Sequence, residues 1–513
     1  KFDEFMEQNH LYGIALSDNV SDDEILKHFL AAKLPRSVVA DLYAYLKAID
    51  SPIAIRSSSL LEDAHYQPYA GVYSTYMVPN IKGHRISTLT MVCEAIKAVY
   101  ASVYYKDSKT YMKATKNVIS REKMAVVLQE VCGRQYGNRF YPSFSGVGRS
   151  LNFYPIGDEK PEDGVVNVAL GLGKYIVDGG QTLRFSPKHP HNILQTSSLE
   201  FALNETQTHF NALDLSRTTF SPQVDDGFNL FRLSVRDAEA DGTLRFVAST
   251  FDPYDQIIRD GLYEEKYRKV ITFANILEHE VFPLAEIVDK VLKVGEREMG
   301  RPVEIEFAVN LDYAENKNNV FYLLQIRPIV DANKSIDEDL EQVPLESTLI
   351  TSRQALGNGI IDNLCDVVYV KEGMFGPSNN QLIAYDIDKI NRQLMEQDRP
   401  YVLIGPGRWG SSDTWLGIPV KWPNIAGAKV IVEAGQTSYH IDPSQGTHFF
   451  QNLTSCGSAY LTVDGVDDRE VCDMDYLETL PVVAETKYIK HVRLEQSLVA
   501  KIDGKKGIGI VLK

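Results

Sequence analysis

Cysteine is scarce in this chain: Cys93, Cys132, Cys365, Cys456 and Cys472 are five in 513 residues, odd in number and without a C-x-x-C pair. That excludes a disulfide framework and a paired-thiolate zinc site, and it suits a reducing, cytoplasmic compartment. No unbroken apolar run approaches the roughly 20 residues of a membrane helix, so the chain is not expected to span a bilayer. Positive charge is also short. Lys and Arg number 53 against 69 Asp and Glu, a formal charge of −16, which argues against nucleic acid and anionic membrane as partners. Internal repeats, low-complexity tracts, a signal segment, an H-E-x-x-H pair and a Walker A loop are all missing. The first residue is Lys1 rather than Met, so the chain reads as a piece of a longer one, with an upstream domain as a partner.

What is present is globular composition, 44% hydrophobic and 24% charged. The length suits about two to four domains. Residues 1–50 read as an opening helical segment. Ser21 and Glu24 have capping-box spacing, Ile25, Leu26, Phe29 and Leu30 recur at helical intervals, and Pro35 closes that helix or opens the next. Strands and turns begin at Pro52. An amphipathic helix is expected near 87–104, a strand from Met124 to Val131, and a helical region over 264–299, broken at Pro283 and ended by Gly300. The runs Val303–Asn310 and Val320–Ile329 read as strands. The domain reading is 1–335, an acidic linker at 336–347 (or an exposed loop within one domain), and 348–513, which holds all three tryptophans.

Side chains alternate faces along a strand, so Glu304 and Glu306 share one face of the first run, and Gln325 and Arg327 share one face of the second. Antiparallel pairing would set two carboxylates, a carboxamide and a guanidinium side by side. Magnesium takes hard oxygen ligands shared with substrate phosphates, and arginine grips phosphate through two parallel hydrogen bonds. The same pattern also describes a solvated hairpin with a cross-strand ion pair. Upstream, the strand Ile53-Ala54-Ile55 delivers Arg56 and the hydroxyls of Ser57, Ser58 and Ser59, followed by Glu62-Asp63; these are phosphate donors at a strand end, or a turn or cap. In Pro68–Thr75, Gly71 would let backbone amides approach an anion.

In order along the chain, Ile53–Ser59 with Glu62-Asp63, Ala70-Gly71 and Thr75, then Ala125–Val131, Ser145-Gly146-Val147, Leu170–Gly173, Glu304–Phe307 and Leu324–Ile329 resemble the amino-terminal ATP-binding domain of the phosphoenolpyruvate synthase and pyruvate phosphate dikinase family. The resemblance covers about residues 50–330. It implies an α+β fold: an ATP-grasp nucleotide-binding domain of two lobes, followed by a smaller α/β or swivelling-type domain. It also implies ATP and Mg2+ as ligands, with Glu306 and Gln325 holding the metal and Arg56 and Arg327 stabilising phosphates. Gly71 and Thr75 would lie in the covering loop. Gln129 and Val131 would meet the adenine through main-chain groups, with Glu130 between them. The activity implied is ATP-dependent transfer of a phosphoryl group, through a histidine, to a small-molecule acceptor such as pyruvate. A regulatory ATP-binding module without turnover is the alternative.

Several positions depart from that family. No glycine-rich, lysine-bearing segment precedes Arg56, and Lys174 follows Gly171-Leu172-Gly173 where the family carries glutamate. The stretch 185–265 matches no motif. Residues after 330 are too few for a pyruvate-binding barrel of about 250 residues. The phosphohistidine motif is approximated by Gly435–His440, with Tyr439 in the histidine's place; His440 and His448 are therefore acceptor candidates or structural histidines. Gly405-Pro406-Gly407-Arg408-Trp409-Gly410 fits G-x-G-x-x-G, but Ser411–Trp415 and Pro419 make a poor helix start; a tight loop presenting Arg408 and Trp409 is the better reading.

Overall fold

The computed structural model describes residues 1–59, 62, 71–80, 83–114, 119, 122–217, 219–312, 318–329, 340–411, 415, 417–434, 447–455, 457–463, 469–504 and 506–513. Asp63, Pro68–Ala70, the Gly435–Tyr439 motif and His440 lie outside them. The chain divides into two compact units. The first comprises Lys1–Ser150, Gly164–Ile176 and Gln181–Pro328; the second comprises Leu151–Asp163, Val177–Gly180 and Ile329–Lys513.

After two shorter helices, Phe2–Gln8 and Tyr12–Ala15, the first unit continues with helices α1 (Asp22–Ala31) and α2 (Arg36–Tyr45). The Ser21 hydroxyl caps α1 by accepting the Glu24 amide at 3.3 Å, and Pro35 precedes α2, where its missing N–H costs nothing. Strands β1 (Ile53–Ser59), β2 (Tyr76–Val78) and, beyond helix α3 (Arg85–Ser102), β3 (Met124–Glu130) form an antiparallel sheet in the order β2-β1-β3. α3 packs on this sheet through Met91, Val92, Ala95, Ile96 and Val99. The helical stretch Arg85–Met112 is, by length and composition, apolar enough to cross a membrane, and 61% of its apolar window is buried inside the protein. This corrects the expectation of no such segment. Thr88, Thr90, Glu94 and Lys97 interrupt the apolar residues and hide the stretch from a search for an unbroken run.

A five-stranded antiparallel sheet follows, built from β4 (Phe144–Arg149), β5 (Val165–Ala169), β6 (Leu183–Phe185), β7 (Val303–Asn310) and β8 (Val320–Pro328) in the order β8-β7-β4-β5-β6. Short helix α4 (Lys174–Val177) lies between β5 and β6 in sequence, and α5 (Leu284–Met299) packs on β7. Gly300, with φ of 69°, ends α5 by returning its amide to the Glu296 carbonyl. The helical expectation over 264–299 holds only from Leu284 onward and in the turn Ala274–Leu277: Lys269–Ile271 is a strand, because Val270 and Ile271 are buried in a β ladder. Gly146 and Gly148 of β4 are packing residues. A Cβ on Gly146 would stand 2.1 Å from the Phe307 ring, and one on Gly148 3.3 Å from Ile305 and Val288.

The second unit is built on a ten-stranded mixed sheet. Strands β9 (Asn358–Val370), β10 (Tyr401–Gly405), β11 (Ala428–Ala434) and β12 (Ala459–Val463) run parallel, with α6 (Asn380–Glu396) and α7 (His448–Ser455) in the crossovers. β13 (Ile489–Asp503) pairs antiparallel with both β9 and β14 (Ile508–Leu512). Within the segment read as a linker, 340–347 forms two 3-10 turns, and Leu340 is buried against Ile508 and Ile510. Directly after β10, Arg408–Trp409 is a short strand rather than a helix start, unlike a dinucleotide-binding loop. Trp409, however, is not presented outward: its ring is buried and its indole N–H donates to the Val432 carbonyl at 3.0 Å. Gly405 is required because a Cβ there would stand 2.5 Å from that indole.

Candidate functional site: a guanidinium and carboxylate chain between two sheets

β7 and β8 pair with Glu304 opposite Arg327 and Glu306 opposite Gln325, and a bulge then shifts the register so that Phe307 faces Leu323. Arg327 Nε donates to Glu304 Oε1 at 2.8 Å, and its Nη2 donates to Glu306 Oε1 at 3.1 Å. Arg149, at the end of β4 and in register with Glu304, makes an ion pair with the other Glu304 oxygen. Burial pushes the Glu304 carboxyl up, but Arg149 and Arg327 together hold it below the usual carboxylate range. Burial lowers Arg327, and Glu304 and Glu306 more than offset this, so it stays firmly cationic.

The first sheet supplies the other half. Arg56 sits in the middle of β1, and its guanidinium spans the two sheets. Nη1 donates to Gln129 Oε1 at 3.0 Å, Nη2 donates to Gln325 Oε1 at 2.5 Å, and Nη2 lies 3.5 Å from Glu306 Oε2. Gln129 Nε2 in turn reaches the carbonyl of Leu324, the residue left over by the bulge, at 3.4 Å. The result is a continuous chain, Arg149–Glu304–Arg327–Glu306–Arg56–Gln325, that changes from fully buried at Glu304 to half-buried at Arg56 and Glu306. Val127, 46% exposed and opposite Arg56 in the ladder, places an apolar spot beside the guanidinium.

The serines do not behave as a strand-end cluster. β1 continues through Ser59, so Ser57 and Ser59 point to the buried face and only Ser58 shares the Arg56 face. Glu130 is exposed at the end of β3. The Val131 amide is taken by the Pro52 carbonyl at 2.8 Å. Gly71 is exposed with φ of 70°, and the Thr75 amide donates to Asp226 Oδ2 at 2.8 Å. Asp226 also pairs with Lys174 at 2.9 Å, so the ammonium that replaces the family's glutamate is neutralised by a carboxylate from the stretch that matched no motif. His448 begins α7, where the neighbouring Thr447 hydroxyl accepts the Phe450 amide at 3.1 Å. Asp226 and Arg149 were missed by sequence reasoning. For Arg149 a signal existed, since it shares a strand face with Val147 of the Ser145–Val147 motif; for Asp226 there was none.

This geometry defines a class: a mixed α and β nucleotide-type unit whose cationic and acidic side chains meet on a shared strand face. A family model described as pyruvate phosphate dikinase, AMP/ATP-binding domain, matches residues 9–345, and the chain belongs to that family. It is 25% identical over 345 residues to the phosphoenolpyruvate synthase of Aeropyrum pernix, covering 66% of this chain and 36% of that protein. It is also 25% identical over 347 residues to the uncharacterized phosphotransferase YvkC of Bacillus subtilis, covering 67% of this chain and 32% of that protein. The chain therefore spans about a third of the length of these curated relatives.

Proposed function

We propose that the first unit is an ATP-grasp domain that binds MgATP on the face carrying Arg56, Glu306, Gln325 and Arg327. In that reading the chain transfers a phosphoryl group, through a histidine (His440 or His448), to a small acceptor such as pyruvate. The observation that carries it is the Arg56 guanidinium, which joins the two sheets and touches both residues expected to hold the metal. The donor set fits magnesium: Glu306 and Gln325 present a carboxylate and an amide oxygen from adjacent positions on paired strands. Among the described residues no group of three or more His, Cys, Asp or Glu could hold a metal by itself, so a cation here would share the nucleotide's own oxygens.

Charge supports the same choice. Arg56, Arg149 and Arg327 face Glu304 and Glu306, and Glu62 adds its field at Arg327. A site this near balance suits a metal-neutralised triphosphate better than a bare polyanion. Bound there, the metal would neutralise charge between phosphate oxygens. The chain's own part is positioning: Arg327 is held rigid by Glu304, and Arg56 would exchange its Gln325 contact for a phosphate oxygen.

Isothermal titration calorimetry with ATP tests the reading. Glu306→Gln should weaken magnesium-dependent binding by roughly tenfold or more, the worth of a lost charge-assisted contact. Equal affinity would make the carboxylate ordinary surface. Assay of the full-length protein for AMP by chromatography separates turnover from a binding-only, regulatory role, which the Lys174–Asp226 pair favours.

A further inference from the structure

The second unit holds its own charge cluster, with no link in sequence to any motif above. Asp366 of β9 is 1% exposed. Its Oδ1 accepts His491 Nε2 and Arg493 Nε, both at 2.8 Å, and its Oδ2 accepts Arg399 Nε at 2.7 Å. Register explains the convergence: Asp366 lies opposite Arg493 in β13 and opposite Tyr401 in β10, two residues after Arg399. One buried carboxylate needs one cation. Here two guanidiniums share it, with the His491 ring as a third donor, so arginine charge exceeds that of the acid in a chain of net charge −16.

The way the guanidiniums are held matters more than their number. Each donates to Asp366 through its inner Nε, and the terminal amino groups of both donate no hydrogen bond to any described residue. The two side chains remain 34% and 37% exposed while the acid they share is 1% exposed. Because the two oxygens of a single carboxylate hold both Nε atoms, the forks are neighbours and already oriented. A planar fork matches the oxygens of phosphate, and pre-orientation removes much of the side-chain entropy that binding would otherwise cost.

We propose that Arg399 and Arg493, oriented by Asp366 and backed by His491, form a binding site for a phosphoryl oxyanion, either inorganic phosphate or the terminal phosphate of a small monoester. Arg399 and Arg493 make the contact; Asp366 and His491 are positioning residues. All four residues belong to the second unit, and the proposal does not depend on the nucleotide reading.

The test uses the whole chain carrying Arg56→Ala, so that phosphate bound at the nucleotide face is not counted. Calorimetry with inorganic phosphate and, separately, with glycerol 3-phosphate should detect binding, and the tighter probe identifies the source. Adding Arg399→Gln or Arg493→Gln should weaken it at least about tenfold, and Arg493→Lys should weaken it while keeping the charge, because an ammonium offers no fork. Melting curves without phosphate check that each variant folds, and the phosphate-induced rise in melting temperature should shrink in the variants at equal salt. No binding of either probe up to about 10 mM, or unchanged affinity in both glutamine variants, overturns the proposal.

Discussion

In the first unit Glu304 is sealed between Arg149 and Arg327, whereas in the second Asp366 is sealed under Arg399 and Arg493, whose outer ends reach water. Both are buried acids on central strands. The difference lies in the cations. Arg149 and Arg327 have almost no exposure, and both pair with Glu304, Arg327 with Glu306 as well. Arg399 and Arg493 each hydrogen-bond the acid through Nε and remain about one third exposed. A sealed network holds a site rigid, and a half-open one leaves capacity for a ligand.

The largest expected effect is in the sealed cluster. Glu304→Gln leaves two guanidiniums buried beside a neutral amide and should cost about 3–5 kcal/mol in urea unfolding. A loss below about 1 kcal/mol would mean that the arginines escape to water and that the contrast is false.

The next effect is a pH window in the second unit. Burial raises the Asp366 carboxyl, but His491, Arg493 and Arg399 bring it down from 3.8 to about 2. A depressed folded value means stability that is fully present above about pH 4 and lost as pH falls toward 2, worth about 2 kcal/mol. Asp366→Asn should flatten the fall in urea midpoint between about pH 4 and 2. An unchanged slope would place the acid sensitivity elsewhere.

The smallest effect is the sharpest discriminator. Arg493→Gln should cost under about 1 kcal/mol of stability, because the guanidinium is partly solvated and Asp366 keeps two donors. A cost near that of Glu304→Gln would show that the second cluster is sealed like the first.

Much of the first site was legible in sequence. The alternation Glu304-Ile305-Glu306-Phe307 and Gln325-Ile326-Arg327 sorts polar from buried side chains by strand period alone, and the observed register joins them as opposite pairs. The serine run was misleading, because nothing local says that β1 continues to Ser59 rather than ending at Ile55. Asp226 lay in a stretch without motif, and its role exists only where the chain returns to Thr75 and Lys174. The Asp366 cluster was invisible for the same reason: its partners lie 33, 125 and 127 residues away.

By itself, the sequence determined the early helices, the β3, β7 and β8 strands, the polar face of the β7 and β8 hairpin, and family membership, because strand period and motif order are properties of neighbouring residues. Tertiary structure alone decided that Arg56 reaches Gln325 across 269 residues, that Arg149 completes the pairing of Glu304, and that two arginines share Asp366. Those contacts come from sheet register and from the need of a buried charge for a partner, and neither is encoded in a local pattern.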